Sequence, residues 1–220
     1  MPLIIPNQLP AAETLQSENI FTMERGRAST QEIRPLKIVI VNLMPTKIAT
    51  ETQLARVLSN TPLQVEMTLV TMGSHESTHI SQEHMNSFYK TIDEIKDQYF
   101  DGMMLTGAPV EKLPYEQVDY WKELSEIFEF AKTNVYSSMF ICWGAQAALY
   151  YHFGIPKYQL HEKMFGIFPH KIELPFHPLI RGFDETFYVP HSRHTEVRRE
   201  DIEKVSCLEI LTSSPISGIH

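Results

Sequence analysis

The sequence predicts an α/β fold, a parallel sheet with helices on both faces. Three observations predict it. Residues 37–43, KIVIVNL, form an unbroken apolar run of the kind found in strands covered on both sides. Strand-like runs then alternate with helix-periodic segments as far as residue 153, the order that β-α-β crossovers produce. At Cys142 the β-type content of residues 135–141, VYSSMFI, gives way to Ala, Gln, Leu and Tyr at helical spacing in residues 144–153.

The elements follow in order. Met44, Pro45 and Thr46 end the first core strand, and residues 49–58 set Leu54, Val57 and Leu58 along one helical face. Residues 64–72, QVEMTLVTM, alternate apolar with polar positions as a second strand does, and residues 82–89 are polar enough for a short surface helix or a loop with helical turns. Residues 100–106 predict a third strand that ends in the turn Gly107-Ala108-Pro109. Residues 118–132 predict an amphipathic helix through Trp121, Leu124, Ile127, Phe128 and Ala131, and the fourth strand is the one that leads into Cys142. Past Gly154 the pattern breaks into short strand-like pieces at 164–172, 187–189 and 208–212, punctuated by prolines, which predicts an antiparallel extension or edge. There is no repeat, low-complexity tract or linker, so residues 1–220 are expected to form a single domain.

Composition narrows the function classes. A formal charge of −8 without clustered Lys and Arg argues against nucleic acid as a partner. Two cysteines, Cys142 and Cys207, cannot build a disulfide framework and lack metal-knuckle spacing, which fits a reducing cytoplasm. No apolar run approaches membrane-spanning length, and the first residues lack the basic flank and apolar segment of a signal peptide, so no membrane association is expected. Among the ten histidines, His191 and His194 in PHSRH lack a third ligand, and no metal is expected. His75, His79, His84, His152, His161, His170 and His177 carry no readable signal.

A cysteine on a strand-to-helix corner projects above the sheet, where helix-terminal N–H groups favour negative charge, and the thiolate is the nucleophilic form. Its alternative is a buried cysteine packing as a small hydrophobe. Ligands in parallel sheets bind beyond the carboxyl ends of the strands. Thr46-Lys47 after the first strand, Gly107 to Glu111 after the third and Cys142 after the fourth are all expected on that edge. The plain alternatives for Lys47 and Glu111 are a solvated charge and a loop carboxylate facing water.

Over essentially its whole length the chain resembles the MetA-type homoserine O-acyltransferases. The stretches that carry the resemblance include PLIIPNQLPAAETLQSENIFTMERGRAS, NLMPTKIATETQLARVLSN, FDGMMLTGAPVEKLPYEQVDYW, CWGAQAALYYHFGIPKY, EKMFGIF and PHSRHTEV. The resemblance implies a flavodoxin-like, class I glutamine-amidotransferase-like fold and a cytoplasmic homodimer of methionine biosynthesis. It implies that Cys142 takes an acyl group from acyl-CoA as a thioester and passes it to L-homoserine, with Lys47 at the catalytic site and no bound cofactor. Glu111 matches the position that separates acetyl-using from succinyl-using members, a carboxylate suiting acetyl-CoA. Lys163 and Ser192 match substrate-binding and specificity positions, and Arg193 has no assigned role. The family's general base and its orienting glutamate come from an H-x-E segment beyond residue 220. The chain is therefore expected to be truncated at its carboxy terminus, with weak or no turnover from these residues alone. Transfer to L-serine, succinyl transfer, cysteine hydrolase or amidotransferase chemistry, and a non-catalytic flavodoxin-like binding module are the alternatives.

Overall fold

A computed structural model describes residues 3–74 and 81–219; the histidines at 75 and 79 lie outside the described residues. The chain forms two compact units, one of residues 1–109 and 115–145, the other of residues 110–114 and 146–220.

The first unit holds strands β1 (Leu3–Ile5), β2 (Thr22–Glu24), β3 (Leu36–Val41), β4 (Val65–Val70), β5 (Tyr89–Lys90), β6 (Phe100–Leu105) and β7 (Val135–Phe140). Helices α1 (Ala11–Ser17), α2 (Arg25–Ala28), α3 (Lys47–Leu58), α4 (Gln82–Phe88) and α5 (Trp121–Asn134) connect them. Every strand pairing in this sheet is parallel, in the order β2-β1-β4-β3-β6-β7 with β5 beside β4. Helix α6 (Trp143–Phe153) begins in this unit and continues into the second.

Strand alternation explains why helices cover both faces. Ile38 and Ile40 of β3 point into a core of Leu3, Ile5, Leu15, Ala55, Met67, Leu69 and Met85, to which α1, α3 and α4 contribute. Val41, Leu105 and Phe140 are in register across β3, β6 and β7 and face the other way, where Phe128 of α5 meets Phe140 edge-on at 5.8 Å. Full burial of Ile40, Leu69, Leu105, Ile127 and Phe128 stabilises each face by about 1.5–3 kcal/mol per side chain.

The expected central strands fall where the apolar runs lie. The first core strand, however, is preceded by β1 and β2, and β1 sits between β2 and β4. The order also contains a reversal. The chain moves from β3 to β4 on one side and then to β6 and β7 on the other, which makes the gap between the carboxyl ends of β3 and β6 a topological switch point.

The second unit is built on a four-stranded antiparallel sheet of β8 (Tyr158–Ile172), β9 (Thr186–Glu196), β10 (Thr212–Ser214) and β11 (Gly218–Ile219), ordered β11-β10-β8-β9. Short helix α7 (Arg199–Ile202) follows β9. This is the expected antiparallel part, with two corrections. The strand expected at 208–212 is instead Thr212–Ser214, and Leu208 to Leu211 is irregular. The prolines do not break the hairpin: Pro169 pairs only with Tyr188 because β10 joins β8 no earlier than Lys171, and Pro190 lies on the edge strand β9. No helix among the described residues is long and apolar enough to cross a membrane.

Candidate active site

The last backbone bonds of the parallel sheet place three chain segments side by side. Asn42 N–H donates to Val70 O, Thr106 N–H to Val41 O, and Ile141 N–H to Leu105 O, so the residues after β3, β6 and β7 leave the sheet on one edge. Thr106 then ties the switch point: its hydroxyl accepts from Leu43 N–H at 2.8 Å and donates to Gly107 O at 3.1 Å.

Cys142 occupies the turn between β7 and α6 with φ +54°, a left-handed conformation that costs a non-glycine residue about 1–3 kcal/mol. Its side chain is exposed, which removes the buried-hydrophobe alternative. Three features hold the strained turn. Gly144 N–H donates to Ile141 O and Ala145 N–H to Cys142 O, each at 3.0 Å. Trp143 is 1 % exposed, with its ring 6.0 Å from that of Tyr115 and 6.4 Å from that of Tyr120, so the residue beside the thiol is anchored in the core. Gly144 lies so close to β6 that a Cβ there would meet the carbonyl oxygen of Thr106 at 2.6 Å. Gly107 flanks the sulfur: a Cβ on it would stand 3.5 Å from Sγ.

Lys47 opens α3 just beyond β3, on the expected edge, but it is not a solvated charge. It is 5 % exposed, and its ammonium donates to Asn42 O and lies 5.5 Å from the centre of the Tyr89 ring. Burial pulls its pKa down to about 8, against the opposing negative charge of Glu51. Around it is a polar cluster that sequence reading missed. The Tyr89 hydroxyl donates to Glu51 Oε1 at 2.6 Å and accepts from Asn42 Nδ2 at 2.8 Å, and His84 Nε2 lies 3.1 Å from the same carboxylate oxygen. Burial, then the charge and hydrogen bond of Glu51, push the Tyr89 hydroxyl well above its ordinary range, so it stays a donor. The one local sign was the four-residue spacing of Lys47 and Glu51 on a helix.

Glu111, Lys163 and Ser192 belong to the second unit. His194 Nδ1 lies 2.7 Å from Glu111 Oε1. Partial burial pushes the Glu111 carboxyl up, but the bond from His194, a backbone hydrogen bond, and the charges of His194 and Lys112 outweigh it and hold the group below the usual carboxylate range. Glu111 is thus ionised at neutral pH and not simply facing water. Lys163 is exposed at the irregular part of β8, with its ammonium 5.5 Å from the Phe165 ring, and Phe165 pairs with Ser192 of β9, also exposed. Arg193 donates to Ser217 O, and His170 Nε2 lies 2.9 Å from both His191 Nε2 and Ser217 Oγ. The histidines without a sequence signal thus include two buried ones, His84 and His170. Among the described residues, no group of three or more His, Cys, Asp or Glu is placed to hold a metal ion.

An all-parallel sheet with helices on both faces and an exposed cysteine on a left-handed corner beyond it defines a flavodoxin-like α/β protein, and solved structures share that fold. A candidate GMP synthase subunit from Thermoplasma acidophilum superposes with a TM-score of 0.57 at 16 % identity, covering 85 % of this chain and 77 % of its own. The glutaminase domain of Trypanosoma brucei CTPS with bound acivicin does so with a TM-score of 0.54 at 12 % identity, covering 81 % and 75 %. At such identities the likeness is one of fold alone.

Within that class the chain belongs to the homoserine O-succinyltransferase family, whose model matches residues 2–220. It is 60 % identical over 220 residues to a homoserine O-acetyltransferase of Clostridium novyi and 58 % identical to one of Acetivibrio thermocellus. Those alignments cover all of this chain and 73 % and 72 % of the two relatives.

Proposed function

We propose that this protein is a homoserine O-acetyltransferase that moves an acetyl group from acetyl-CoA to the hydroxyl of L-homoserine through a thioester on Cys142. The observation that carries the reading is the exposed Cys142 sulfur on a strained, core-anchored corner, in a chain 60 % identical to a protein of that name. The Cys142 thiolate attacks the thioester carbonyl of acetyl-CoA and forms a new carbon–sulfur bond. The tetrahedral intermediate then collapses and expels coenzyme A thiolate, which takes up a proton. The homoserine hydroxyl attacks the acetyl-cysteine and gives up its proton to solvent, balancing the one taken up by coenzyme A, and the Cys142 thiolate leaves. Splitting the transfer between two partners predicts ping-pong kinetics.

Lys47 is the cation that stabilises the oxyanion of each half-reaction, and a pKa of about 8 leaves most of it charged at neutral pH. Glu111 sets donor choice. Its carboxylate, held ionised by His194, repels the second carboxylate that succinyl-CoA carries and acetyl-CoA lacks. Lys163 pairs with the homoserine carboxylate, and Ser192 offers a hydroxyl at the accepting end. The protein works without a bound cofactor, as a homodimer in the reducing cytoplasm, in methionine biosynthesis.

The family description favours succinyl-CoA as the second reading of the donor. Initial rates with both donors, and with L-homoserine and L-serine, separate the possibilities. Slow turnover with parallel double-reciprocal lines for acetyl-CoA and homoserine, lost in C142S, is expected. A preference for succinyl-CoA overturns the donor assignment, and a preference for serine overturns the acceptor.

A further inference from the structure

Glu51 has no place in the chemistry above, yet it is a fully buried carboxylate in a protein that had cheaper ways to fill that space. It is 0 % exposed, and an ionisable group so placed costs stability unless it is paired and hydrogen-bonded. Two stretches distant in sequence supply its surroundings: α3 carries Glu51 itself, and the consecutive α4 and β5 bring His84 and Tyr89. Both partners act on one oxygen, Oε1, while Oε2 makes no hydrogen bond among the described residues. Asn42 fills the acceptor side of the Tyr89 hydroxyl and so turns its proton toward Glu51. The same Asn42 reaches Lys47 twice: its side-chain amide donates to Lys47 O at 3.5 Å, and its carbonyl accepts from the Lys47 ammonium. The cluster is therefore built around Lys47 from the next turn of its own helix.

We propose that Glu51 is a positioning residue for acyl transfer: clamped by Tyr89 and His84, it keeps the buried Lys47 ammonium charged and folded against the end of β3. This rests on Lys47 acting as the cation of the site. Charge bookkeeping supports it. Among the described residues, the titratable groups of the cluster are Glu51 on the helix of Lys47, Tyr89 on β5 beneath its ammonium, and His84 on α4 beside Glu51. Tyr89 remains protonated and donates to Glu51, so among the described groups of this cluster Glu51 is the one whose charge answers that of Lys47. Burial already brings Lys47 close to the pH at which it loses its proton, and Glu51 opposes that loss. An opposite charge at close range supports the charged form by about one to three pH units.

The test uses E51Q, which keeps the shape and removes the charge, with two readouts. One is the Lys47 titration followed by NMR of 13C-labelled lysine side chains, its signal assigned with K47M. The other is the pH dependence of Cys142 acetylation by acetyl-CoA, followed by intact mass. In the wild type Lys47 should titrate near pH 8, with an alkaline fall in acylation at the same pH. In E51Q both should move down by about one unit or more, so that acylation drops about tenfold at pH 9 and hardly at pH 6. Should E51Q fail to fold, E51D, whose charge is one methylene further away, must still lower the Lys47 midpoint, by less. A folded variant with an unmoved midpoint overturns the proposal. A moved midpoint with an unmoved acylation limb also overturns it, together with the role given to Lys47, but leaves the Cys142 thioester standing. A wild-type protein that forms no thioester overturns the proposal and the proposed function together.

Discussion

Replacing Gly144 with alanine should damage both the fold and the chemistry of the Cys142 corner, and the structure gives the size of the effect. The added Cβ would lie 2.5 Å from Leu105 Cδ2, 2.6 Å from Thr106 O and 3.2 Å from Leu105 O. The leucine methyl can rotate away. The two carbonyls cannot, because Leu105 belongs to β6 and its oxygen accepts from Ile141 N–H at 2.9 Å. The start of α6 must therefore retreat by roughly 0.8 Å to reach ordinary contact with Thr106 O, in an interior packed without slack. Overpacking of this kind costs about 1–3 kcal/mol, and rigid backbone on the far side puts it near the top of that range. Better helix propensity returns at most about 1 kcal/mol. A net loss of about 2 kcal/mol lowers Tm by about 4–8 °C in a chain of this length. Moving Cys142 with the helix should slow acylation at least about tenfold at temperatures where the variant is folded. The control is G102A, whose Cβ meets the terminal methyl of Ile38 at 2.8 Å and nothing closer, and which should stay within about 1 kcal/mol of wild type. Thermal denaturation by circular dichroism and acylation by intact mass read the two effects. If G144A is no less stable than G102A and acylates at the wild-type rate, the close approach of α6 to β6 is not what holds the corner.

Other expectations test neighbouring parts of the account. G107A places a methyl 3.1 Å from Cys142 Cβ, so acylation should slow about tenfold while stability changes by less than about 1 kcal/mol, separable by the same two assays. E111G should move donor preference toward succinyl-CoA. Like charges about 4 Å apart repel by up to about 4 kcal/mol, and solvent reaching the Glu111 side chain, 23 % exposed, reduces this to about 1–2 kcal/mol, or roughly tenfold in the ratio of rates. Lys47 should leave a mark on stability against pH. Its folded pKa of about 8 lies below the unfolded value of 10.5, so between these values the unfolded chain binds the extra proton and wild-type stability rises with pH. Relative to K47M, wild type should gain about 2–3 kcal/mol between pH 8 and pH 10 in urea titrations; a flat difference would mean that the ammonium is hydrated in the folded protein.

Much of the fold was legible because parallel strands buried on both faces must be apolar throughout, and KIVIVNL could hardly be anything else. Helix α5 was equally plain from its apolar face. Strands β1 and β2 escaped because three residues carry no periodicity, and the one in LII is bracketed by Pro2 and Pro6. The length of β8 and β9 was hidden by prolines that an incomplete or edge pairing tolerates. At the site, the change from strand to helix content revealed Cys142 because a corner is a local property. The strand-edge position of Lys47 was legible, but its burial was not, because the cluster around it includes His84 and Tyr89, which only the packing of α4 and β5 brings to Glu51. The bond between His194 and Glu111 spans 83 positions and left no trace that a single sequence could show.

The central claim is that the exposed sulfur of Cys142 carries the acetyl group. Mixing the folded protein with acetyl-CoA at neutral pH, without acceptor, and measuring intact and peptide masses tests it most directly. The account predicts one acetyl group per chain, located on the peptide containing Cys142, labile to hydroxylamine and absent in C142S. A folded protein that stays unmodified, or an acetyl group found on Cys207 instead, would contradict it.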